Sequence, residues 1–386
     1  MSRIKVLTIF GTRPEAIKMA PLVCALQADP QVESVVCVTG QHREMLDQVL
    51  QLFALRADFD LQVMVPDQTL NGLFARVIDR IDGVLAQVRP DFVLVHGDTS
   101  SASACALAAF HRRIRVGHVE AGLRTGDLER PFPEEMNRRV VDVVSDFMFA
   151  PTQTSRHNLL TENLSGKIVV TGNTVIDALA MTTERLKADP TLADQVKARY
   201  PWIDAQRKVL LVTGHRRESF GEGFVNISDA LADLAERPDL QIIYPVHLNP
   251  QVRGIVMPRL GDLPNVHLID PVDYLDFVWL MQRADLILTD SGGVQEEAPY
   301  LGKPVLVMRD VTERPEAVQA GTVSLVGADR RRIHQAVARL LDDEASAAGF
   351  QRRINPYGDG RACARIVSAL LGRPFEEFST AAERAV

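Results

Sequence analysis

Acidic side chains recur just beyond apolar runs in the first half of this chain. Asp98 follows DFVLVHG, Glu120 follows RVGHV, and Glu134 with Glu135 opens the segment EEMNRR behind Pro133. Carboxylates crowded at a cleft acquire shifted proton affinities and move protons, so Asp98, Glu120 and Glu134 are candidates for general acid–base work. Each also has a structural reading. Asp98 would serve as the cap of the helix SASACALAAF, and Glu134 or Glu135 in a first helical turn would complement the helix dipole. Glu120 fits such a role less well, because it directly follows an apolar run, shares its segment with His118 and Arg124, and has the open Ala121-Gly122 beside it.

A second kind of chemistry is written into the other half. After ADLILTD come Ser291, Gly292 and Gly293, a turn whose main-chain N–H groups can converge on a diphosphate at a helix N-terminus expected near Val294. Glu297, one turn in, suits the paired hydroxyls of a ribose, and Arg309 and Arg314 follow the next apolar run. KVLLVTG delivers His215 with Arg216 and Arg217, which reads either as an anion contact or as a capping or core histidine. Near the N-terminus, IKVLTIF leads into Gly11-Thr12-Arg13-Pro14-Glu15 and Lys18. Proline suits the first position of a helix whose unpaired N–H groups attract anions, and Arg13 and Lys18 add full charge; a tight turn with a solvated helix face is the plainer alternative.

The elements that must position these residues alternate. Runs such as KVLTIF, SVVCVT, DFVLVHG, KIVVTG, KVLLVTGH, QIIYPVH and ADLILTD lack apolar–polar alternation, as expected of strands buried on both faces of a parallel sheet. Segments with helical spacing lie between them, giving right-handed crossovers and a doubly wound α/β sheet. About six such runs precede residue 172 and about six follow 207, which implies two sheets in tandem, joined by a helical connector near 170 to 205 that Pro190 and Pro201 interrupt. Ligands of open α/β sheets bind beyond the carboxyl ends of the strands, so the expected site is a cleft facing both sheets.

Composition removes several classes. With 386 residues, 24% charged and a formal net charge of −7, the chain has no basic block suited to nucleic acid or an anionic membrane. Cys24, Cys37, Cys105 and Cys363 lie far apart without CxxC pairing and read as reduced thiols of a cytoplasmic protein. MSRIKVLTIF has too short an apolar run for a signal peptide. No GxGxxG follows a strand, and no GxxxxGK[ST], GxSxG or metal-spaced histidine pair occurs, which argues against hydride, P-loop, serine-hydrolase and metal chemistry.

GTRPEAIKMAP, GDTSS, HVEAGLRTGD, RPFPEEMNRR, GNTVIDAL, GHRRESFGEG, YPVHLNP and TDSGGVQEEAPYLGKPVL with TERPEA occur in order between residue 11 and about 317. Together they closely resemble the non-hydrolysing UDP-N-acetylglucosamine 2-epimerases of bacteria. The resemblance implies a GT-B-like architecture: a Rossmann-like domain over 1–172, completed by a C-terminal helix in 360–386, and a second over 173–359, facing a central cleft. It implies a homodimer that needs no cofactor or metal. By matching position, Asp98, Glu120, Glu134 and His215 would form the catalytic set, with His215 meeting the phosphates. Arg13, Lys18, Phe277, Ser291, Gly292, Gly293, Glu297 and Arg314 would bind substrate. Val272 stands where many relatives have Gln, which removes one polar contact to the base. The segment TGQHREML, with Gln41, His42, Arg43 and Glu44, is the candidate for a second, regulatory substrate site. The implied reaction is reversible inversion at C2 through loss of UDP to a 2-acetamidoglucal and its re-addition, feeding surface polysaccharide. The rivals are a GT-B glycosyltransferase, a hydrolysing relative that releases N-acetylmannosamine, and a UDP-sugar sensor.

Overall fold

The computed structural model describes residues 3–40, 43–351 and 355–380. The chain divides into two compact units, Met1–Met181 with Tyr357–Val386, and Thr182–Pro356. The first unit is built on strands β1 (Ile4–Phe10), β2 (Val32–Val38), β3 (Phe59–Asp60), β4 (Phe92–His96), β5 (Arg115–Val119), β6 (Phe147–Ala150) and β7 (Lys167–Val170). They form one sheet in the order β3-β2-β1-β4-β5-β6-β7, every pairing parallel. The second unit carries β8 (Lys208–Thr213), β9 (Leu240–Pro245), β10 (Val266–Ile269), β11 (Leu286–Thr289), β12 (Val305–Val307) and β13 (Val323–Leu325), in the order β10-β9-β8-β11-β12-β13, again parallel.

The missing alternation in the strands has its explanation here. Val6 and Phe10 of β1 pack into one apolar cluster with the helix Arg13–Ala28, while Leu7 and Ile9 pack into another on the opposite face with the helices Leu70–Val88 and Ser100–His111. A strand covered by helices on both sides has no wet face to mark with polar residues. The first sheet has one strand more than its apolar runs indicate, because β3 is only two residues long and a strand that short carries no pattern.

The C-terminal helix Ala362–Leu370 belongs to the first core, where Cys363, Ile366, Val367 and Leu370 join Met19 and Val23 of the first helix. Its N-terminus is capped from a distance: Asp177 accepts from the backbone N–H groups of Ala362 (3.1 Å) and Cys363 (2.9 Å). Among the described residues no helix is long and apolar enough to cross a membrane.

Each sheet reverses its strand order at one place. Chain order runs from β1 outward to β3 on one side and from β4 onward on the other; in the second sheet the reversal lies between β8 and β11. At such a switch point neighbouring crossovers depart to opposite faces and leave a crevice at the strands' carboxyl ends. Gly11–Glu15 follows β1, Gly97–Thr99 follows β4, His215 follows β8, and Asp290–Gly293 follows β11.

Candidate active site

In the first unit the turn after β1 is fixed by Glu15. Thr12 caps the helix Arg13–Ala28, and the Glu15 carboxylate returns to accept from the backbone N–H groups of Gly11 (2.9 Å) and Thr12 (2.7 Å). Its other oxygen accepts from the Thr99 hydroxyl at 2.7 Å, tying the β1 turn to the β4 turn across the switch point. Burial raises the Glu15 pKa, and the hydrogen bonds from Thr99, Gly11 and Thr12 offset part of that rise. Glu15 thus builds the turn, while Arg13 and Lys18 are half-buried on the same helix.

Thr99, and not Asp98, caps the helix Ser100–His111; its hydroxyl accepts from Ala102 N–H at 3.0 Å. This corrects the capping role that Asp98 alone suggests. A threonine at the cap position satisfies the orphan amide and leaves the preceding carboxylate available. Asp98 instead pairs with Arg138, and its carbonyl accepts from Asn137 Nδ2 at 3.0 Å. Both partners lie on the helix Glu134–Val143, three and four positions after Glu134, so Asp98 is drawn to the helix face on which Glu134 stands.

Glu134 and Glu135 are neighbours with opposite situations. Glu135 is fully buried, bridged by Arg138 (3.2 Å) and Arg139 (3.1 Å), and accepts from Thr125 N–H at 3.1 Å and Gly126 N–H at 3.3 Å. It anchors the preceding loop. The Oε2 atom of Glu134 is buried without a hydrogen-bond partner among the described residues.

Glu120 stands in left-handed backbone, φ 69°, a conformation that costs a non-glycine residue and is retained where geometry demands it. Lys18 forms an ion pair with its Oε1 atom, Asn173 Nδ2 donates to the same oxygen at 2.9 Å, and His96 Nε2 lies 3.5 Å from Oε2. Three elements therefore converge on one carboxylate: the first helix, the end of β4, and the turn after β7. Burial pushes the His96 pKa down to about 3; Glu120 opposes that shift, while Lys18 and His118 add to it.

His118 and Arg124, which share a segment with Glu120, are not part of this group. His118 is fully buried, with Nδ1 at 2.6 Å from Asp142 and Nε2 at 2.7 Å from the Gly97 carbonyl. Arg124 donates to Asp142 at 2.8 Å and to both oxygens of Glu162 at 2.7 Å. Burial would raise the Asp142 pKa, but His118 and Arg124 outweigh it and hold it below the usual range. This network carries charge to support the β4 turn through the Gly97 carbonyl.

In the second unit Asp290 plays the part that Glu15 plays in the first. Fully buried at the end of β11, it accepts from the backbone N–H groups of His215 and Arg216, each at 2.8 Å, and so fixes the turn after β8. His215 itself is exposed and stacks against His247 with ring centroids 5.8 Å apart, so it is neither a core residue nor a cap. Its imidazole is nonetheless partly desolvated, which lowers its pKa, and Arg216, His247 and Arg309 reinforce this against Asp290.

The helix expected to open near Val294 begins earlier, at Gly292, with Ser291 at its cap position and no side-chain cap bond. The glycines are inside the first turn, which leaves the helix N-terminus uncovered. A Cβ placed on Gly292 would lie 3.8 Å from Arg216 Nη2 and 3.8 Å from Arg314 Nη2, so two guanidinium groups flank that bare helix end. Backbone N–H groups and paired guanidiniums are the kinds of group that suit a doubly charged phosphate. Arg314 is held by an ion pair with buried Glu296. Glu297 is buried and its Oε1 atom accepts from the Tyr274 hydroxyl at 2.6 Å. Tyr274 opens the helix Tyr274–Arg283, and Phe277, half-buried, lies one turn further along it; Val272 is half-buried just before the helix.

His96 and Asn173 are among the residues of these groups to which the residue pattern assigns no role. His96 ends β4, just before Gly97 of the run DFVLVHG, and Asn173 follows Gly172 in GNTVIDAL, three residues beyond β7, so each stands at or near a strand end, which is the signal that marks them. Gln41 and His42 lie outside the described residues, as do the side chains of Arg43 and Glu44. Among the described residues, no three His, Cys, Asp or Glu side chains are arranged to hold a metal ion.

A family model described as UDP-N-acetylglucosamine 2-epimerase matches residues 24–371. A UDP-N-acetylglucosamine 2-epimerase of Escherichia coli O157:H7 is 60% identical over 369 residues, 95% of this chain and 98% of the relative. The fold is similar to the crystal structure of the Neisseria meningitidis UDP-GlcNAc 2-epimerase bound to UDP-GlcNAc, with a TM-score of 0.90 and 50% identity over 96% of this chain and 100% of that one. It is also similar to the Methanocaldococcus jannaschii UDP-GlcNAc 2-epimerase in complex with UDP-GlcNAc and UDP, with a TM-score of 0.80 and 34% identity over 96% of this chain and 100% of that one.

Proposed function

Because the chain belongs to the UDP-N-acetylglucosamine 2-epimerase family, we propose that it interconverts UDP-N-acetylglucosamine and UDP-N-acetylmannosamine without hydrolysis. The observation that carries this reading is the gathering of Lys18, Asn173 and His96 around the carboxylate of Glu120, a residue held in left-handed backbone at the end of β5. Such a group is built to take or give a proton.

The hydrogen at C2 is not next to a carbonyl, so inversion there needs a route other than simple enolisation. A carboxylate removes the C2 proton as the C1–O bond to UDP breaks, leaving a C1=C2 double bond and free UDP. UDP oxygen then re-forms the bond to C1 while a carboxylic acid returns a proton to the other face of C2. Glu120, Asp98 and Glu134 are the proton carriers in this scheme. The bare N-terminus at Gly292, with Arg216, Arg314 and His215, holds the departing diphosphate, where preorganised charge is worth most. Glu297 meets the ribose and Phe277 the base, while Arg13 and Lys18 meet the sugar diphosphate from the first unit. The same reading carries a homodimer and a place in supplying N-acetylmannosamine units for surface polysaccharide.

The test is incubation with UDP-N-acetylglucosamine alone in D₂O, followed by NMR. The expected result is UDP-N-acetylmannosamine carrying deuterium at C2. Free N-acetylmannosamine with UDP would mark a hydrolysing enzyme, and unchanged substrate would mark a binding protein; either result overturns the proposal.

A further inference from the structure

His96 is a buried imidazole, and neither of its ring nitrogens completes a hydrogen bond among the described residues. Its Nε2 atom lies 3.5 Å from the Oε2 atom of Glu120. Buried polar groups without partners are rare in folded chains, and those that persist need a reason. The general supports for the β4 turn are already in place: Glu15 holds it through Thr99, and His118 holds it through the Gly97 carbonyl. A histidine at position 96 is not needed for that work, and an apolar residue would fill the space without leaving two nitrogens unpaired.

We propose that His96 is a positioning residue for Glu120, a neutral donor that fixes the Oε2 atom and takes over when the cation on Oε1 is drawn away. The proposal rests on the epimerase reading above. The two carboxylate oxygens are differently served: Lys18 and Asn173 meet Oε1, and His96 faces Oε2. A diphosphate sugar carries negative charge that competes for Lys18. As Lys18 turns to the ligand, the His96 contact shortens to a full hydrogen bond, as catalytic hydrogen bonds that are long in an unliganded site do on ligand binding.

The groups facing His96 are Glu120 beyond β5, Lys18 on the first helix and His118 on β5, with Asp142 behind His118. Two of the three facing groups disfavour a second proton on the ring, as does its burial. His96 therefore donates from Nε2 without becoming a proton carrier, and a proton that Glu120 takes up during the reaction is not passed to His96. Its donor stabilises the ionised carboxylate, so its loss makes Glu120 easier to protonate.

The experiment compares the wild type with His96→Leu and His96→Gln, measuring kcat, KM and the pH profile of epimerisation, UDP affinity by calorimetry, and thermal melting. His96→Leu is expected to lower kcat about 10- to 100-fold with KM and UDP affinity unchanged, as the loss of a hydrogen bond to a charged group implies. The acid limb of its kcat profile moves to higher pH. His96→Gln, whose amide N–H can occupy the place of Nε2, recovers about tenfold of that loss. A folded His96→Leu that keeps kcat within about threefold of wild type, an unmoved acid limb, or a glutamine variant no better than leucine would each overturn the proposal. Should His96→Leu fail to fold, His96→Asn, whose shorter amide cannot reach Oε2, replaces it with the same criteria. A wild type that makes no UDP-N-acetylmannosamine removes the functional reading itself, whereas an active wild type with unaffected variants removes this inference alone.

Discussion

Lys18 and Glu120 form a buried ion pair that joins the first helix to the end of the fifth strand, 102 positions apart in the chain. The pair sets a cation against a carboxylate where little solvent reaches, and that cation is the group an anionic ligand would attract. A buried pair of this kind is a poor device for stability, since desolvation consumes most of the attraction, but a good one for poising a proton acceptor.

Replacing Glu120 with Gln should retain UDP binding while lowering turnover by ~10²–10⁴-fold, the range of a lost general acid–base group. Melting should also fall, because Lys18 is left buried beside a neutral amide, and breaking a buried pair costs about 3–5 kcal/mol. Calorimetric titration with UDP decides the matter: if binding disappears along with turnover, Glu120 is a structural residue.

The adjacent glutamates should separate cleanly. Glu134→Gln should leave stability within about 0.5 kcal/mol and abolish most turnover, because its Oε2 atom bonds no other group among the described residues. Glu135→Gln should unfold early, by about 3 kcal/mol or more, because Arg138, Arg139 and two loop amides lose their shared anion. Denaturant titration of both variants is the check, and equal destabilisation would contradict the assignment.

Gly292→Ala should fold normally and bind UDP at least about tenfold more weakly. The new methyl meets the Arg216 and Arg314 guanidiniums at 3.8 Å, an ordinary contact, and alanine favours the helix over glycine by about 1 kcal/mol. It stands, however, where a phosphate oxygen would approach the helix N–H groups. Unchanged UDP affinity would place the diphosphate elsewhere.

Stability should fall in mild acid through His96. In the unfolded chain this imidazole titrates near 6.5, and in the folded protein burial lowers its pKa to about 3. Between those values the unfolded state binds the extra proton, so stability is intact above pH 6.5 and declines below it by about 1.4 kcal/mol per pH unit. Denaturant unfolding from pH 7 to 5 should show a steeper loss for wild type than for His96→Gln, and parallel curves would refute the shift.

Two parallel sheets were readable from unbroken Val, Ile and Leu runs, since a strand covered on both faces has no polar side to display. That Ser-Gly-Gly joins a strand to a helix was also readable, because it directly follows the apolar run ADLILTD. The strand β3 was not, because two residues hold no periodicity. Nor was the first turn of the helix at Gly292, because glycine is a poor helix former and its intrinsic preference points to a loop, whereas the tertiary setting makes it helical.

By itself the sequence determined which residues lie at strand ends and that their types, carboxylates before residue 140 and a glycine turn with arginines after 214, suit proton transfer and phosphate binding. Only the tertiary structure decided which of them act together. Asp98 and Thr99, or Glu134 and Glu135, are neighbours that could each cap or anchor, and the fold gave the cap to Thr99 and the loop anchor to Glu135, while Asp98 pairs with Arg138. Likewise nothing local joins Lys18, His96 and Asn173 to Glu120. They meet because the strand order places the ends of β1, β4, β5 and β7 around one crevice, and contacts so distant in the chain follow from sheet topology and not from any short stretch of residues.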